Sequence, residues 1–507
     1  MSTLLSRGVG STRPCYKKLI FKRIDRNKQF STTCKQLSEQ KGRSPKDIAP
    51  KNILELNKRG IFQDIYPAAA IGLPELLTSK KQCFYCGFDP TSDSLHIGNF
   101  LSIMALLYCQ RAGHEAIAVI GTSTAQAGDP SEHSKDRVTL SPNEINENAA
   151  KIASQIQLIV NNHANDIYDN RGKKNLPKFK ILRNESWYNK LSSVDFVSKV
   201  CRKFRMGPMM DKKYIKDRLD GSNGLILAEF MYQVMQAYDW LHLHQEYKCS
   251  FQIGGVDQLG NINAGQQLIK KVNGKEVYGL LTPIVTTPAG EKLGKTAGNA
   301  VWLSPKKTSP FEFYQYFYRQ PDSQVKKLLQ YFTFLDLNTI EEIAENHAKQ
   351  PGKRQAQRIL ATQVCKIVHG KSGLDSAERC SRALYGGQIE DLASLSDEEI
   401  GLTFDAAHIS HLTLEPHTTV YDLCKTLKAI PTGGPGEHLI QQGGVRINGN
   451  VVDSPQQLLL SDVHVLKNDL TIVTVGKVKH HIVRWRLPRI EHSEDDPENT
   501  NSTDALR

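Results

Sequence analysis

Apolar residues recur at three- and four-residue steps through Ile97, Phe100, Leu101, Met104 and Leu107, and the pattern stops at Ala112-Gly113-His114. This spacing predicts a helix with one face buried. An apolar run precedes it and ends within residues 85–99, and a short, wholly apolar strand follows at 116–121. Strand, loop, helix and strand in about forty residues form a βαβ unit, whose parallel strands predict a doubly wound α/β sheet. Helical periodicity also marks residues 53–61 and 71–77, which lead into the first strand, and a longer run at 145–160. Residues 194–218 read either as a pair of surface helices or as an inserted segment. From Ser309 through 331–335 and 353–369 the pattern is all-helical, and residues 398–416 read as a linker. Residues 420–487 are strand-rich, and Val445-Arg-Ile-Asn-Gly-Asn450-Val-Val predicts a hairpin on an Asn-Gly turn.

Length and charge add to this picture. A chain of 507 residues has room for several domains. Its apolar content of 39% and charged content of 23% are those of a globular protein in water, and no apolar run approaches the length of a membrane span. The net charge of +12 is uneven: residues 1–50 hold twelve Lys/Arg against three Asp/Glu (+9), and residues 491–507 hold one Arg against six acids (−5). A basic, Ser-containing arm with no acid before Asp25 reads as a mitochondrial transit peptide, the alternative being a disordered arm that touches RNA. The acidic tail reads as disordered. The body between them carries +8 and attracts polyanions. Of ten cysteines only Cys83 and Cys86 have a metal-like spacing. No second pair answers them, and on a strand they would face opposite sides, so structural zinc is not expected. Cysteines dispersed in this way fit a reducing compartment.

Five stretches carry candidate chemistry. His96-Ile-Gly-Asn99 lies where the first helix begins. A helix N-terminus offers unpaired N–H groups and a positive dipole end, and so favours phosphate. Gly98 lets a nucleotide approach the backbone, and His96 and Asn99 bring neutral donors for charge developing on a phosphoryl group. The bland alternative is that both residues only cap the helix. Past the strand at 116–121, the turn Ala127-Gly-Asp129-Pro-Ser131 holds a carboxylate. It either points into the crevice at the carboxyl end of the sheet or only shapes the turn.

On a helix over 229–241, Tyr232, Gln236 and Asp239 share one face. A polar stripe among Phe, Met, Val, Trp and Leu either faces water or lines a pocket, because buried polar groups need partners. Gly254-Gly255 ends an apolar strand, and Asp257 behind it suits a ribose hydroxyl. Lys292-Leu-Gly-Lys295-Thr296, bounded by Gly290 and Gly298, puts two lysines on a loop suited to closing over nucleotide phosphates as pyrophosphate departs.

In this order the stretches resemble the class I aminoacyl-tRNA synthetases, specifically the tyrosyl-tRNA synthetases of the bacterial and mitochondrial type. The resemblance covers about residues 55–487 and starts from Cys86-Gly-Phe-Asp89-Pro-Thr91 followed by Ser94-Leu-His96-Ile-Gly98-Asn99. It implies a Rossmann-like catalytic domain at 46–305 with a connective insertion that contributes to a homodimer interface. An α-helical anticodon-binding bundle at 306–400 and a small α+β RNA-binding domain at 416–490 would follow. A transit peptide at 1–45 and a disordered tail at 491–507 would flank them. The implied activity joins L-tyrosine to ATP, as its Mg2+ complex, and then to tRNA(Tyr) in the mitochondrial matrix. No tightly bound metal, organic cofactor or membrane partner is implied.

Residue by residue, the resemblance gives catalysis to His96, Asn99, Lys292 and Lys295. Tyr85 and Asp239 would bond the phenolic hydroxyl, Asp129, Tyr232 and Gln236 the ammonium, and Gln258 the carboxylate region. ATP would meet Asp89, Thr91, His96, Gly98, Asn99, Gly255, Asp257, Lys292, Lys295 and Thr296, with Asp257 on the ribose.

The chain also departs from the family. Asn99 stands where a second His is usual, and Glu132-His-Ser-Lys135 replaces a Gly-Lys-Lys type of sequence, with Arg137 in register. Pro431-Thr-Gly-Gly-Pro-Gly-Glu437 replaces a basic helix start, which predicts weaker and less salt-sensitive RNA binding there. Lys477, Lys479, Arg484 and Arg486 partly offset it. Of two rival readings, a tryptophanyl enzyme conflicts with Asp239 beside Tyr85, since indole has no hydroxyl. A retired scaffold that only binds RNA would be signalled by loss of His96, Asp239 or both lysines, and all are present. A dual role stays open.

Overall fold

A computed structural model describes residues 53–68, 72–131, 140–168, 176–221, 224–286, 300–385, 409–476 and 479–486, with isolated positions between 393 and 400. Lys292, Lys295, Thr296, Lys135, Arg137, Lys477, the basic arm and the acidic tail lie outside the described residues.

The first sheet has one short strand, β1 (Asp64–Tyr66), and five longer ones: β2 (Cys83–Phe88), β3 (Glu115–Ile120), β4 (Phe179–Arg183), β5 (Phe251–Gly255) and β6 (Tyr278–Thr282). The order is β1-β6-β5-β2-β3-β4, parallel except where β1 pairs antiparallel with β6. From β2 the chain adds β3 and β4 on one side, then returns to add β5 and β6 on the other. The reversal between β2 and β5 opens a crevice at the carboxyl ends of the strands.

Helices cover the sheet. After α1 (Leu73–Ser79) comes α2 (Ile97–Arg111), which joins β2 to β3 as the apolar spacing predicts and is buried along most of its length. In α3 (Pro142–Asn162) the buried positions Ile145, Ala149, Ile152, Ile156 and Ile159 repeat at helical steps, and a Ser141–Glu144 capping box fixes its start. α4 (Leu227–Tyr247) and α5 (Leu259–Asn273) pack on the opposite half, where Trp240, Ile262 and Leu268 enter the core with Tyr85 and Ile117. The periodic run at 53–61 is a tight 3₁₀ turn, Ile53–Arg59. Residues 194–218 form neither of two long helices but a series of short turns and helices, ending in Met206–Met210 and Lys213–Leu219.

The helical region comprises α6 (Pro310–Tyr318), α7 (Asp322–Phe332), α8 (Leu337–Lys349) and α9 (Gln355–Tyr385), the last broken at Gly370. The break leaves the carbonyls of Ile367 and Val368 without helical donors, and the amide of Asn162 at the end of α3 donates to both, at 3.1 and 3.4 Å. A second clamp is Arg59, which donates to the carbonyls of Gln330, Leu335 and Thr333 at 3.1, 2.7 and 2.7 Å. The Tyr108 hydroxyl of α2 reaches the Thr333 carbonyl as well, at 2.6 Å.

The second sheet corrects one expectation. Within the stretch read as a linker, β7 (Ile409–Thr413) is an edge strand parallel to β11 (Lys479–Arg486). Its apolar residues are only half-buried, which kept its alternation weak in the sequence. β8 (Val445–Ile447), β9 (Asn450–Val452) and β10 (Leu470–Val475) complete the order β7-β11-β10-β8-β9. The β8–β9 hairpin turns at Asn448 and Gly449, both with positive φ (46° and 80°), as an Asn-Gly turn requires. One face of this sheet buries Val473, Val483 and Trp485 under α10 (Val420–Thr426) and α11 (Gly434–Gln441). The other sets Leu470, Ile472 and Ile482 against Phe311 and Cys380 of the helical region. Among the described residues no helix is long and apolar enough to cross a membrane.

Arg59 is 6% exposed, and its loss takes the side-chain donor from the half-buried Gln330 and Leu335 carbonyls, while Thr333 keeps its bond from Tyr108. Arg59→Met is expected to cost about 3 kcal/mol, read as an earlier urea transition of the helical region.

Candidate active site

The carboxyl ends of three adjacent strands each deliver one polar side chain to the crevice: Asp89 after β2, Thr124 beyond β3 and Asn184 after β4. Asn184 is fully buried, and every hydrogen-bonding position of its amide is filled. Oδ1 accepts from the Thr122 hydroxyl (3.2 Å) and the Ser123 N–H (2.8 Å), while Nδ2 donates to Thr124 Oγ1 (3.2 Å) and Asp239 Oδ2 (3.2 Å). Thr124 passes the chain on to Asp89 Oδ1 at 2.8 Å, and Asp89 Oδ2 accepts from the Tyr232 hydroxyl at 2.7 Å. Trp187 Nε1 donates to Asp239 Oδ1 at 2.8 Å. Gly121 makes room for this closeness, because a Cβ there would stand 1.9 Å from Asp89 Oδ1 and 2.3 Å from Thr124 Oγ1.

The polar stripe of α4 therefore does not face water. Tyr232 and Asp239 are buried and Gln236 is half-buried. Tyr85, on β2, is buried to 2%, and its hydroxyl and the Gln236 carbonyl oxygen have no hydrogen-bond partner among the described residues. Unpaired buried polar atoms in a crevice are groups left for a ligand. Burial, and then the charge of Asp239, hold the Tyr85 hydroxyl well above the usual phenol range. Burial likewise pushes the Asp239 carboxyl up to about 7; the bonds from Trp187 and Asn184 oppose this, and the charge of Asp89 adds to it.

Asp129 shapes its turn and also reaches Gln258. Oδ1 accepts from Ser131 N at 2.9 Å and shapes the turn, while Oδ2 accepts from Gln258 Nε2 at 2.7 Å. Gln258 Nε2 also lies 3.1 Å from Ser131 Oγ and from Asp257 Oδ2. Its Oε1 accepts from Asn261 Nδ2 at 3.1 Å, and Asn261 Oδ1 accepts from the Tyr214 hydroxyl at 3.2 Å. Lys212 donates to Gln233 Oε1 (2.6 Å) and the Gly260 carbonyl (2.7 Å), and burial lowers its ammonium to about 8. The segment before α4 thus braces the start of α5. Tyr232 bonds Asp89 and Asp129 bonds Gln258, so these two residues expected around the ammonium belong to two different hydrogen-bonded pairs.

The end expected to take the nucleotide is built around the start of α2. His96 is its N-cap: Nδ1 accepts from Gly98 N at 3.1 Å, and Asn99 Oδ1 accepts from His96 N at 3.1 Å. An accepting Nδ1 puts the proton of a neutral imidazole on Nε2. The cap thus engages the acceptor atom of each side chain and not its donor, so capping and phosphate chemistry are compatible. The Gly98 N–H, expected to approach a nucleotide, is bonded to His96. Ile97 N donates to Val301 O at 3.0 Å and Leu303 N to Leu95 O at 2.8 Å, so residues 301–303 line this end. Thr91 sits half-buried, with its N–H on the Asp89 carbonyl at 2.9 Å; Gly255 and Asp257 lie half-buried at the end of β5.

Sequence reasoning missed Thr124, Asn184, Trp187, Lys212, Tyr214 and Asn261. One signal was present: Phe-Lys-Ile-Leu-Arg before Asn184 is a short strand. Recognising it would have put Asn184 in the same strand-end position as Asp89.

Residues 78–386 match the family described as tRNA synthetases class I (W and Y). The chain is 44% identical over 455 residues to the mitochondrial tyrosine–tRNA ligase of Drosophila melanogaster, spanning 89% of this chain and 98% of that protein. It is 44% identical over 433 residues to the mitochondrial tyrosine–tRNA ligase of Homo sapiens, spanning 84% and 90%. Among solved structures it is similar to a C-terminally truncated Coccidioides posadasii mitochondrial tyrosyl-tRNA synthetase, with a TM-score of 0.58 and 31% identity over 70% of this chain and 96% of that one. Likeness of this extent, over residues that include the crevice, means that the chain belongs to the class I tRNA synthetases, in their mitochondrial tyrosyl-tRNA synthetase group.

Proposed function

We propose that this chain activates L-tyrosine with ATP and transfers it to tRNA(Tyr) in the mitochondrial matrix. The observation that carries the reading is the buried Tyr85 hydroxyl, unpaired in a crevice whose other wall holds Asp239. A site built to bond a hydroxyl rejects phenylalanine, because its own polar groups would stay unpaired. Asp129, Tyr232, Gln236 and Gln258 surround the ammonium and carboxylate of the bound amino acid. Asp89, Thr91, Gly98, Gly255 and Asp257 border the nucleotide, which enters as its magnesium complex.

In the first step a tyrosine carboxylate oxygen attacks the α-phosphorus of ATP. The bond to the β-phosphate oxygen breaks, giving tyrosyl-adenylate and pyrophosphate. Charge that builds on the phosphoryl oxygens is met by donors on His96, Asn99, Lys292, Lys295 and Thr296. In the second step a ribose hydroxyl of the terminal adenosine attacks the adenylate carbonyl, and AMP leaves. Positioning does most of this work, and no covalent enzyme intermediate is needed.

A homodimer fits the apolar side chains exposed before and at the start of α4: Val194 and Leu227 at 72%, Met206 at 65% and Val197 at 62%. The domain limits at 45, 305 and 400 are those the resemblance implies, while the last domain starts by Ile409, where β7 pairs with β11.

Tyrosine-dependent ATP–pyrophosphate exchange by protein lacking residues 1–45 tests the reading; folded protein without exchange would sink it. Asp239→Asn should lower kcat/KM for tyrosine by about two powers of ten. His96→Ala should lower kcat by roughly 10²–10³ with little change in the KM for tyrosine. Because burial raises Asp239 to about 7, the native fold binds a proton that the unfolded chain has released. This contribution is complete below the unfolded pKa near 4 and is lost as pH rises towards 7. Denaturation from pH 4 to 8 should therefore show the parent losing stability relative to Asp239→Asn, with the gap levelling off above pH 7.

A further inference from the structure

Trp302 has no role in the reaction described above, yet it is tied to His96 in several ways. The two residues face each other across a short antiparallel bridge, flanked by the hydrogen bonds from Ile97 N to Val301 O and from Leu303 N to Leu95 O. Their rings meet edge-on, with centroids 6.2 Å apart and planes at 72°. Lys307 Nζ stands 4.7 Å from the centroid of the Trp302 ring and bonds Asp93 Oδ1 at 2.6 Å. The Trp302 N–H is held by Thr308 Oγ1 at 3.1 Å. Opposite, Gln155 Oε1 of α3 accepts from Leu95 N at 3.0 Å and from Ser94 Oγ at 3.3 Å.

These contacts answer a geometric need. His96 is bonded to its own turn through Nδ1, and Trp302 meets its ring edge-on. Its Nε2 lies on the other side of the ring, where a small tilt becomes a displacement. A donor that is to meet charge on a phosphoryl group must be preorganised to within fractions of an ångström. An aromatic wall at the ring limits its tilt, and the Lys307–Asp93 pair holds that wall through a cation–π contact and an ion pair.

We infer that Trp302, supported by Lys307 and Asp93, is a positioning residue that orients the His96 imidazole for adenylate formation. The inference rests on the tyrosine-activating reading proposed above. The tyrosine pocket is built from β2, the end of β4 and α4, none of which supplies Trp302. Its loss should therefore act on turnover and not on tyrosine binding.

The test compares Trp302→Leu, Trp302→Phe and Lys307→Met by pyrophosphate exchange. It also follows the His96 ring by NMR in histidine-labelled full-length protein, with the signal assigned by its loss in His96→Ala. Trp302→Leu should lower kcat about three- to tenfold, the worth of an edge-on aromatic pair, and leave the KM for tyrosine within about twofold. Trp302→Phe should restore most of the rate. Lys307→Met, a half-exposed change that the fold tolerates, should show the same pattern more weakly. In a His96→Ala background Trp302→Leu should cost nothing further. The same loss with and without His96, or a matching rise in the KM for tyrosine, would overturn the assignment. A parent without exchange would remove the proposed function, and the NMR signal would still decide the positioning. A His96 resonance that shifts in Trp302→Leu and returns in Trp302→Phe supports it, and one that stays put in both refutes it.

Discussion

The amide of Asn184 is the constraint on which the crevice depends. It accepts two hydrogen bonds and donates two, so it has one orientation and no spare position. Through it the end of β4 is joined to the turn after β3 and to the middle of α4, and through Thr124 to Asp89 at the end of β2. Parallel strands alone set their ends about 5 Å apart and say nothing about which side chains meet there. A fully satisfied polar network makes that choice, since any other arrangement would strand a buried polar group.

The same network sets the electrostatics. Asp89 and Asp239 are two carboxylates held in one buried chain, separated by a threonine and an asparagine. Each receives donors, yet burial still leaves Asp239 reluctant to ionise. Tyr85 is pushed the same way and has no partner among the described residues. A hydroxyl arriving between them would be able both to donate and to accept. In the proposed function, recognition of a phenol would follow from what the fold leaves unsatisfied, as much as from what it presents.

At several positions one side chain serves structure and chemistry together. Asp129 gives one oxygen to its turn and the other to Gln258. His96 and Asn99 close a capping box with their acceptor atoms, and their donors have the character that phosphate chemistry needs. The structural roles of these residues are therefore compatible with the functional ones proposed above. The short pairing of residues 95–97 with 301–303 likewise anchors the start of α2.

Read alone, the chain determined whatever depends on near neighbours. The periodicity of residues 97–107 specified α2, the Asn448-Gly449 pair specified a hairpin, and Tyr232, Gln236 and Asp239 had to share a helix face. Motif order added the family resemblance and most of the expected site residues. Tertiary structure decided the rest, for a physical reason: a hydrogen bond between residues far apart in sequence leaves no local period. Nothing near Asn184 announces Asp239, and nothing near Trp302 announces His96. The weak strands β4 and β7 are half-buried, so their alternation is faint, and only pairing with β3 and β11 makes them strands. Whether the polar stripe of α4 met water or a pocket was likewise decided by the sheet beneath it.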